Sequence, residues 1–175
     1  MNDEAPAVAT PSQTAGPFFH LGLRPQPEAG AQARIRVLVS VIDGDGRPVD
    51  DAMIELWHSL AVAEPSGPAA FARLATDKDG SCEFETARPV GTADGRGVVQ
   101  AAHLNVCLFA RGLLRQLHTR IYFAGDPALE SDAVMSLVPE HRRSTLIATR
   151  DPIPPGRWLF EIRLQEPRET VFFDV

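Results

Sequence analysis

The sequence contains only one lysine, one tyrosine and two cysteines among its 175 residues. Acidic residues outnumber basic ones by 23 to 17, the formal net charge is -6, and the arginines form no cluster. Nucleic-acid binding is therefore not expected, because it requires a basic patch that neutralises phosphates. Cys82 and Cys107 lack CxxC spacing and are too few for a disulfide framework or a zinc site, so we expect buried free thiols.

Long apolar runs are also absent. No stretch approaches 18 consecutive apolar residues, and the opening MNDEAPAVAT contains two acids and no basic residue. This pattern predicts neither a membrane span nor a signal peptide, so we expect a cytoplasmic protein. The length and the apolar fraction of 44% fit one folded domain.

Residues 1–33 differ in composition from the rest of the chain. They are rich in proline, alanine, glycine and glutamine and show no sustained period, which is typical of an extended arm. From residue 34 a period of two begins, with Ile35, Val37, Val39 and Val41 on one face of RIRVLVSVID. We therefore predict an N-terminal arm over 1–33 and a β domain over 34–175.

Further β segments follow at short intervals. The DGDGRP turn predicts that the first strand forms a hairpin with the next. The predicted strands after that turn lie in AMIELWH, CEFET, HLNVCLFA, QLHTRIYF, WLFEIRL and TVFFDV. Only residues 127–148 show helix-like spacing, which Pro139 interrupts, so one or two short helices are expected there. Many short amphipathic strands predict an all-β fold, a sandwich of sheets that bury one face each.

Four further segments contain recognisable motifs: TPSQTAGPFFHLGL at 10–23, DGDGRPVDDAMIELWHS at 43–59, HLNVCLFARGLLRQLHTRIYFAGD at 103–126 and ETVFFDV at 169–175. Together they resemble the intradiol ring-cleavage dioxygenases. The more specific motifs are the QTxGPFxH-like entry and the HTRxYFxGDP stretch, whereas a DGxG turn is common. The four segments span nearly the whole chain, and the resemblance implies the β-sandwich of that family.

The resemblance also implies a ferric iron held by two tyrosines and by two histidines in an H-x-H pair on one strand. Residues i and i+2 of a strand share a face, so such a pair can bind one metal. At the matching positions this sequence has His103 and Asn105. An amide is a poor ligand for Fe(III), and Tyr122 matches neither tyrosine ligand, so at least three of four ligands are missing.

By this resemblance the chain is the iron-free member of a two-chain enzyme. The implied partner is a homologous iron-binding beta subunit in a large hetero-oligomer. That partner holds the Fe(III), and protocatechuate and O2 are the substrates of a cleavage that yields 3-carboxy-cis,cis-muconate. This chain then provides pocket-lining residues and no metal ligand: Thr14, Gly16, Pro17, Phe18 and Arg111. His103 and Asn105 mark a vestigial metal position.

Alternative interpretations remain at this stage. Arg111 is about as compatible with a surface salt bridge as with a pocket residue. His103 without a second ligand is more typical of a structural histidine. Two rival functions are a self-sufficient dioxygenase with an unusual ligand set around His103 and a non-enzymatic β-sandwich carrier for small aromatics.

Overall fold

The computed structural model describes residues 34–58, 70–93, 98–165 and 167–174. This part of the chain is mainly β structure with two short helices, α1 (Ala133–Leu137) and α2 (Glu140–Arg143), and 3-10 turns at Pro127–Ser131 and Ser144–Leu146. The strands are β1 (Arg34–Ile42), β2 (Met53–His58), β3 (Ala70–Ala75), β4 (Ser81–Ala87), β5 (Thr92–Ala93), β6 (Val99–Gln100), β7 (His103–Phe109), β8 (Leu117–Phe123), β9 (Ile147–Arg150) and β10 (Arg157–Arg163). The predicted arm lies outside the described residues.

Eight strands follow one another in the order β3-β2-β7-β8-β9-β10-β1-β4. The short strand β9 joins the two halves, because it pairs in parallel with β8 and antiparallel with β10. The sheet curls so that β3-β2-β7-β8 faces β10-β1-β4 across a shared core. The predicted all-β sandwich is confirmed.

The core lies between the inner faces of these halves. Val37, Val39 and Val41 of β1 are fully buried there, as the period of two predicts. Trp158 of β10 is also buried, and its ring meets that of Phe123 edge-to-face at 4.9 Å between centroids. Each such side chain stabilises the fold by about 1.5–3 kcal/mol relative to exposure.

The predicted hairpin of β1 and β2 is wrong. The turn itself forms, since Asp43 Oδ1 accepts the backbone N–H groups of Asp45 and Arg47 at 2.9 and 2.8 Å. Beyond one bridge between Ile42 and Pro48, however, the strands do not pair. Both edges of β1 are occupied, by β10 in parallel and by β4 antiparallel, so the chain crosses to the other half before β2 begins.

Two smaller expectations are confirmed. The 127–148 region forms α1 and α2, with Pro139 at the N-cap of α2. Cys82 and Cys107 are buried and free, and burial raises the pKa values of their thiols to about 12 and about 11.

The predicted C-terminal strand is reduced to one bridge between Phe173 and His118. Within the described ranges, no helix has the length and apolar character needed to cross a membrane.

Candidate functional site

Strand β7 presents His103 and Asn105 on the outer face of the sheet. The residues that alternate with them, Leu104, Val106 and Leu108, are fully buried in the core. Because successive side chains of a strand point to opposite faces, the core fixes His103 and Asn105 outward and on the same side. The H-x-H register of the resemblance is therefore kept in the backbone.

His103 is buried, and its Nδ1 lies 2.8 Å from the carbonyl oxygen of Ala101. Burial lowers the pKa of the imidazole, which favours the neutral ring. The Nδ1–H group then donates to this carbonyl, and Nε2 is the nitrogen without a proton. Metal-bound histidines are commonly oriented by the same kind of hydrogen bond. His103 thus has the orientation of a ligand but needs partners.

The neighbouring donors do not fit ferric iron. Tyr122 stands directly opposite His103 on β8, with 5.5 Å between ring centroids. Burial raises the pKa of its phenol to about 12, so the hydroxyl stays protonated at neutral pH. Asn105 contributes an amide in place of an imidazole. In the part of the chain that the structure describes, no group of three or more His, Cys, Asp or Glu side chains could hold a metal.

A buried carboxylate organises the region around His103 instead. Asp132 is 1% exposed, and its Oδ2 accepts the N–H of Ala101 at 2.7 Å. Its Oδ1 accepts the N–H of Met135 at 2.7 Å and the hydroxyl of Tyr122 at 3.2 Å. Asp132 therefore caps α1 and ties that helix to β8 and to the segment that enters β7.

Arg120 extends this network along the outer face. It stands opposite Asn105 on β8, and its Nη1 donates to Gln100 Oε1 at 2.9 Å and to the Tyr122 hydroxyl at 3.3 Å. Sequence reasoning missed Asp132 and Arg120. The only available signal was an acid just before the apolar run AVMSL, which is the pattern of a helix N-cap.

Of the other predicted site residues, Arg111 lies in the part of the chain that the structure describes. Thr14, Gly16, Pro17 and Phe18 lie outside the described residues. Arg111 follows β7 at the end away from His103, and the length of that strand separates the two by roughly 20 Å. Its side chain is 83% exposed, and its Nε lies 3.1 Å from Asp51 Oδ2. The surface salt bridge is therefore present, and a role in a pocket stays a prediction.

A family profile described as "Dioxygenase" matches residues 20–165. The chain belongs to the intradiol dioxygenase family. A relative named protocatechuate 3,4-dioxygenase alpha chain, from Burkholderia cepacia, is 38% identical, with 95% of this chain and 97% of that protein covered. The beta chain of the same name and organism is 27% identical over 78% of this chain and 65% of its own length.

Solved structures agree on the fold. A hydroxyquinol 1,2-dioxygenase from Pseudomonas putida DLL-E4 matches with a TM-score of 0.65 and 23% identity, over 93% of this chain and 68% of that one. The match extends over most of this chain and about two thirds of that structure, and it supports the β fold.

We predict that Asp132→Ala destabilises this intradiol dioxygenase chain by roughly 2–4 kcal/mol, because it leaves buried N–H donors and the Tyr122 hydroxyl without an acceptor. Asp126→Ala is the matched control. Asp126 also caps a helical turn, through Ala128 at 2.9 Å, but it is less buried, so about 1 kcal/mol is expected. Urea unfolding followed by circular dichroism measures both values, and equal losses would contradict the assigned role of Asp132.

We predict that Asn105→His alone does not create a ferric site. The variant restores the H-x-H pair, but Tyr122 remains a protonated phenol engaged with Asp132, so hard anionic donors are still missing. Metal analysis after incubation with Fe(III) and the visible spectrum provide the measurement. One tightly bound iron per chain, with a tyrosinate charge-transfer band, would show that the missing ligands have been misidentified.

Proposed function

We propose that this chain is the iron-free alpha subunit of a protocatechuate 3,4-dioxygenase and that it acts together with an iron-binding beta subunit. The observation that carries the proposal is the donor set at the H-x-H position of β7. There, a ligand-like imidazole is accompanied by an amide and a protonated phenol. Similarity to the named alpha chain over nearly the full length of both proteins supports the same assignment.

In this proposal the reaction is O2-dependent cleavage of protocatechuate between its two hydroxylated carbons, giving 3-carboxy-cis,cis-muconate. Ferric iron on the beta subunit supplies the activation of the catechol toward O2. This chain supplies a pocket wall and an assembly surface. We also propose that the assembly is cytoplasmic, which cell fractionation would test.

The wall consists of Thr14, Gly16, Pro17 and Phe18 of the arm. Glycine permits close approach of the backbone to a substrate, and proline fixes the path of the chain beside it. The neighbouring aromatic side chain can bury itself against the partner and hold the segment in place. These residues would orient the substrate and exclude water, while the proton transfers and the redox step take place at the partner's site.

Arg111 is proposed as a cation that faces the shared cleft. Its guanidinium is paired with Asp51 in the isolated chain, and both side chains are accessible. An exposed ion pair of this kind contributes little stability, up to about 1 kcal/mol, so exchanging Asp51 for an anionic substrate costs little. A bidentate contact with the carboxylate of protocatechuate would then favour acids over uncharged catechols.

The test of the proposal is expression of this chain alone and together with the gene of an iron-bearing homologue. We expect the chain alone to bind no stoichiometric iron and to be inactive, and the pair to co-purify with iron, visible colour and ring-cleavage activity on protocatechuate. Metal analysis, absorption spectra and oxygen uptake measure these outcomes. An iron-loaded, active homomer would instead favour the self-sufficient enzyme. A stable, aromatic-binding chain that never associates with the homologue would favour the carrier.

We predict that Gly16→Val reduces turnover of the assembled enzyme while leaving the thermal stability of this chain nearly unchanged. The branched side chain would intrude on the shared cleft and restrict the backbone. Deletion of residues 1–9 is the control in the same arm, and it should be nearly silent because that stretch precedes the family motif. Steady-state kinetics and thermal melts of both reconstituted variants measure these effects. Normal kcat and KM for Gly16→Val would show that the arm is not part of the active site.

A further inference from the structure

The outer face of strands β1, β10 and β9 carries a groove with a volume of about 750 Å³. Its floor is formed by these three strands. One wall is α2 with the 3-10 turn that follows, and the other is formed by Pro167 and Arg168. This volume lies within the range of about 300–1,000 Å³ that is typical of small-molecule sites.

Apolar side chains form part of the floor, which lies on an outward face and also carries Ser40, Thr149 and Glu161. Leu38 of β1 and Leu159 of β10 are direct neighbours across the strand pair, and Thr149 of β9 stands beside Leu159. Ile147 continues this surface next to α2. Leu38, Leu159 and Ile147 are only half-buried, whereas an outward sheet face in contact with water is normally polar. The floor therefore offers apolar surface to a ligand.

The rim of the groove is basic in a chain of net charge -6. Arg142, Arg163 and Arg168 line it, against one acid, Glu161. Two of these arginines are engaged: Arg142 with Glu169 at 3.8 Å, and Arg163 through its Nε with Glu161 at 2.6 Å. Arg168 is exposed and has no ion pair with any residue in the described ranges.

The terminal nitrogens of Arg163 add to this donor capacity. Only Nε of that residue is used for Glu161, and within the described part of the chain the two Nη groups have no hydrogen-bond acceptor. A guanidinium presents its donors in a planar fork that matches a carboxylate. Arg163 and Arg168 are thus cationic donors on the rim of a partly apolar floor.

We propose that this groove binds a small organic anion with an apolar body, specifically an aromatic carboxylate. The ring would lie on Leu38 and Leu159, and the carboxylate would accept hydrogen bonds from Arg168 and from the Nη groups of Arg163. An inorganic anion would leave the apolar part of the floor in water, and an uncharged aromatic would leave Arg168 without a counter-charge among the described residues. This inference does not depend on the proposed dioxygenase function.

Photo-crosslinking with 4-benzoylbenzoate tests the site, because the position of the cross-link reports where the probe binds. The full chain is used in the assembly in which it purifies, and labelled peptides are identified by mass spectrometry. We expect labels within 34–42 and 157–163. Arg168→Gln should raise the probe concentration needed for half-maximal labelling by about tenfold, which corresponds to the loss of one charge-assisted hydrogen bond. Arg115→Gln removes an exposed arginine from the turn between β7 and β8 and is the matched control.

Uncharged 4-methylbenzophenone provides the second comparison, and its labelling should be weaker and independent of Arg168. Three results would each overturn the proposal: labels confined to other segments, equal labelling of the wild type and Arg168→Gln, or complete competition by equimolar sulfate, which would indicate a simple anion site. Absence of labelling in the purified assembly would also overturn it.

Discussion

The two-faced character of β7 is the constraint on which the site depends. The inner residues of this strand are fixed in the core, so the outer residues, including His103 and Asn105, can change identity without moving the backbone. The hydrogen bond between His103 and Ala101 fixes the orientation of the imidazole independently of what occupies position 105.

Hydrogen bonding joins chain segments around His103 that lie far apart in the sequence. Asp132 joins the entry to β7, the start of α1 and the phenol of Tyr122 through one carboxylate. A metal centre and a buried carboxylate share this property of drawing several chain segments to one point. The two differ chemically. Both carboxylate oxygens of Asp132 accept hydrogen bonds from the protein, whereas a metal centre can also bind a reacting molecule.

The period-two pattern was sufficient to predict the sandwich and most of its long strands, because each strand buries one face. Which strands pair with each other was harder to predict, because pairing depends on contacts between segments that are distant in the sequence. The Asp43 turn has the local sequence of a hairpin between β1 and β2. However, β1 pairs instead with β10, which lies more than 110 residues later in the chain. Strands β3 and β9 lacked clear alternation and were not predicted. At the site, the types of donor on β7 and β8 could be derived from Asn105 and the single tyrosine. The roles of Asp132 and Arg120 could not, because nothing in the sequence brings residue 132 next to residues 101 and 122.

The central position of β1 has a consequence for biosynthesis. Its parallel partner β10 leaves the ribosome more than 110 residues after β1, and parallel pairing of distant segments forms slowly because a long loop must close first. Until residues 157–163 emerge, β1 can be protected only along its β4 side, and its other edge presents unpaired backbone groups next to a run of valines. Chaperone engagement of the nascent chain should therefore last until β10 has emerged, and truncation within β10 should yield an aggregating product even though β7, β8 and Asp132 are present.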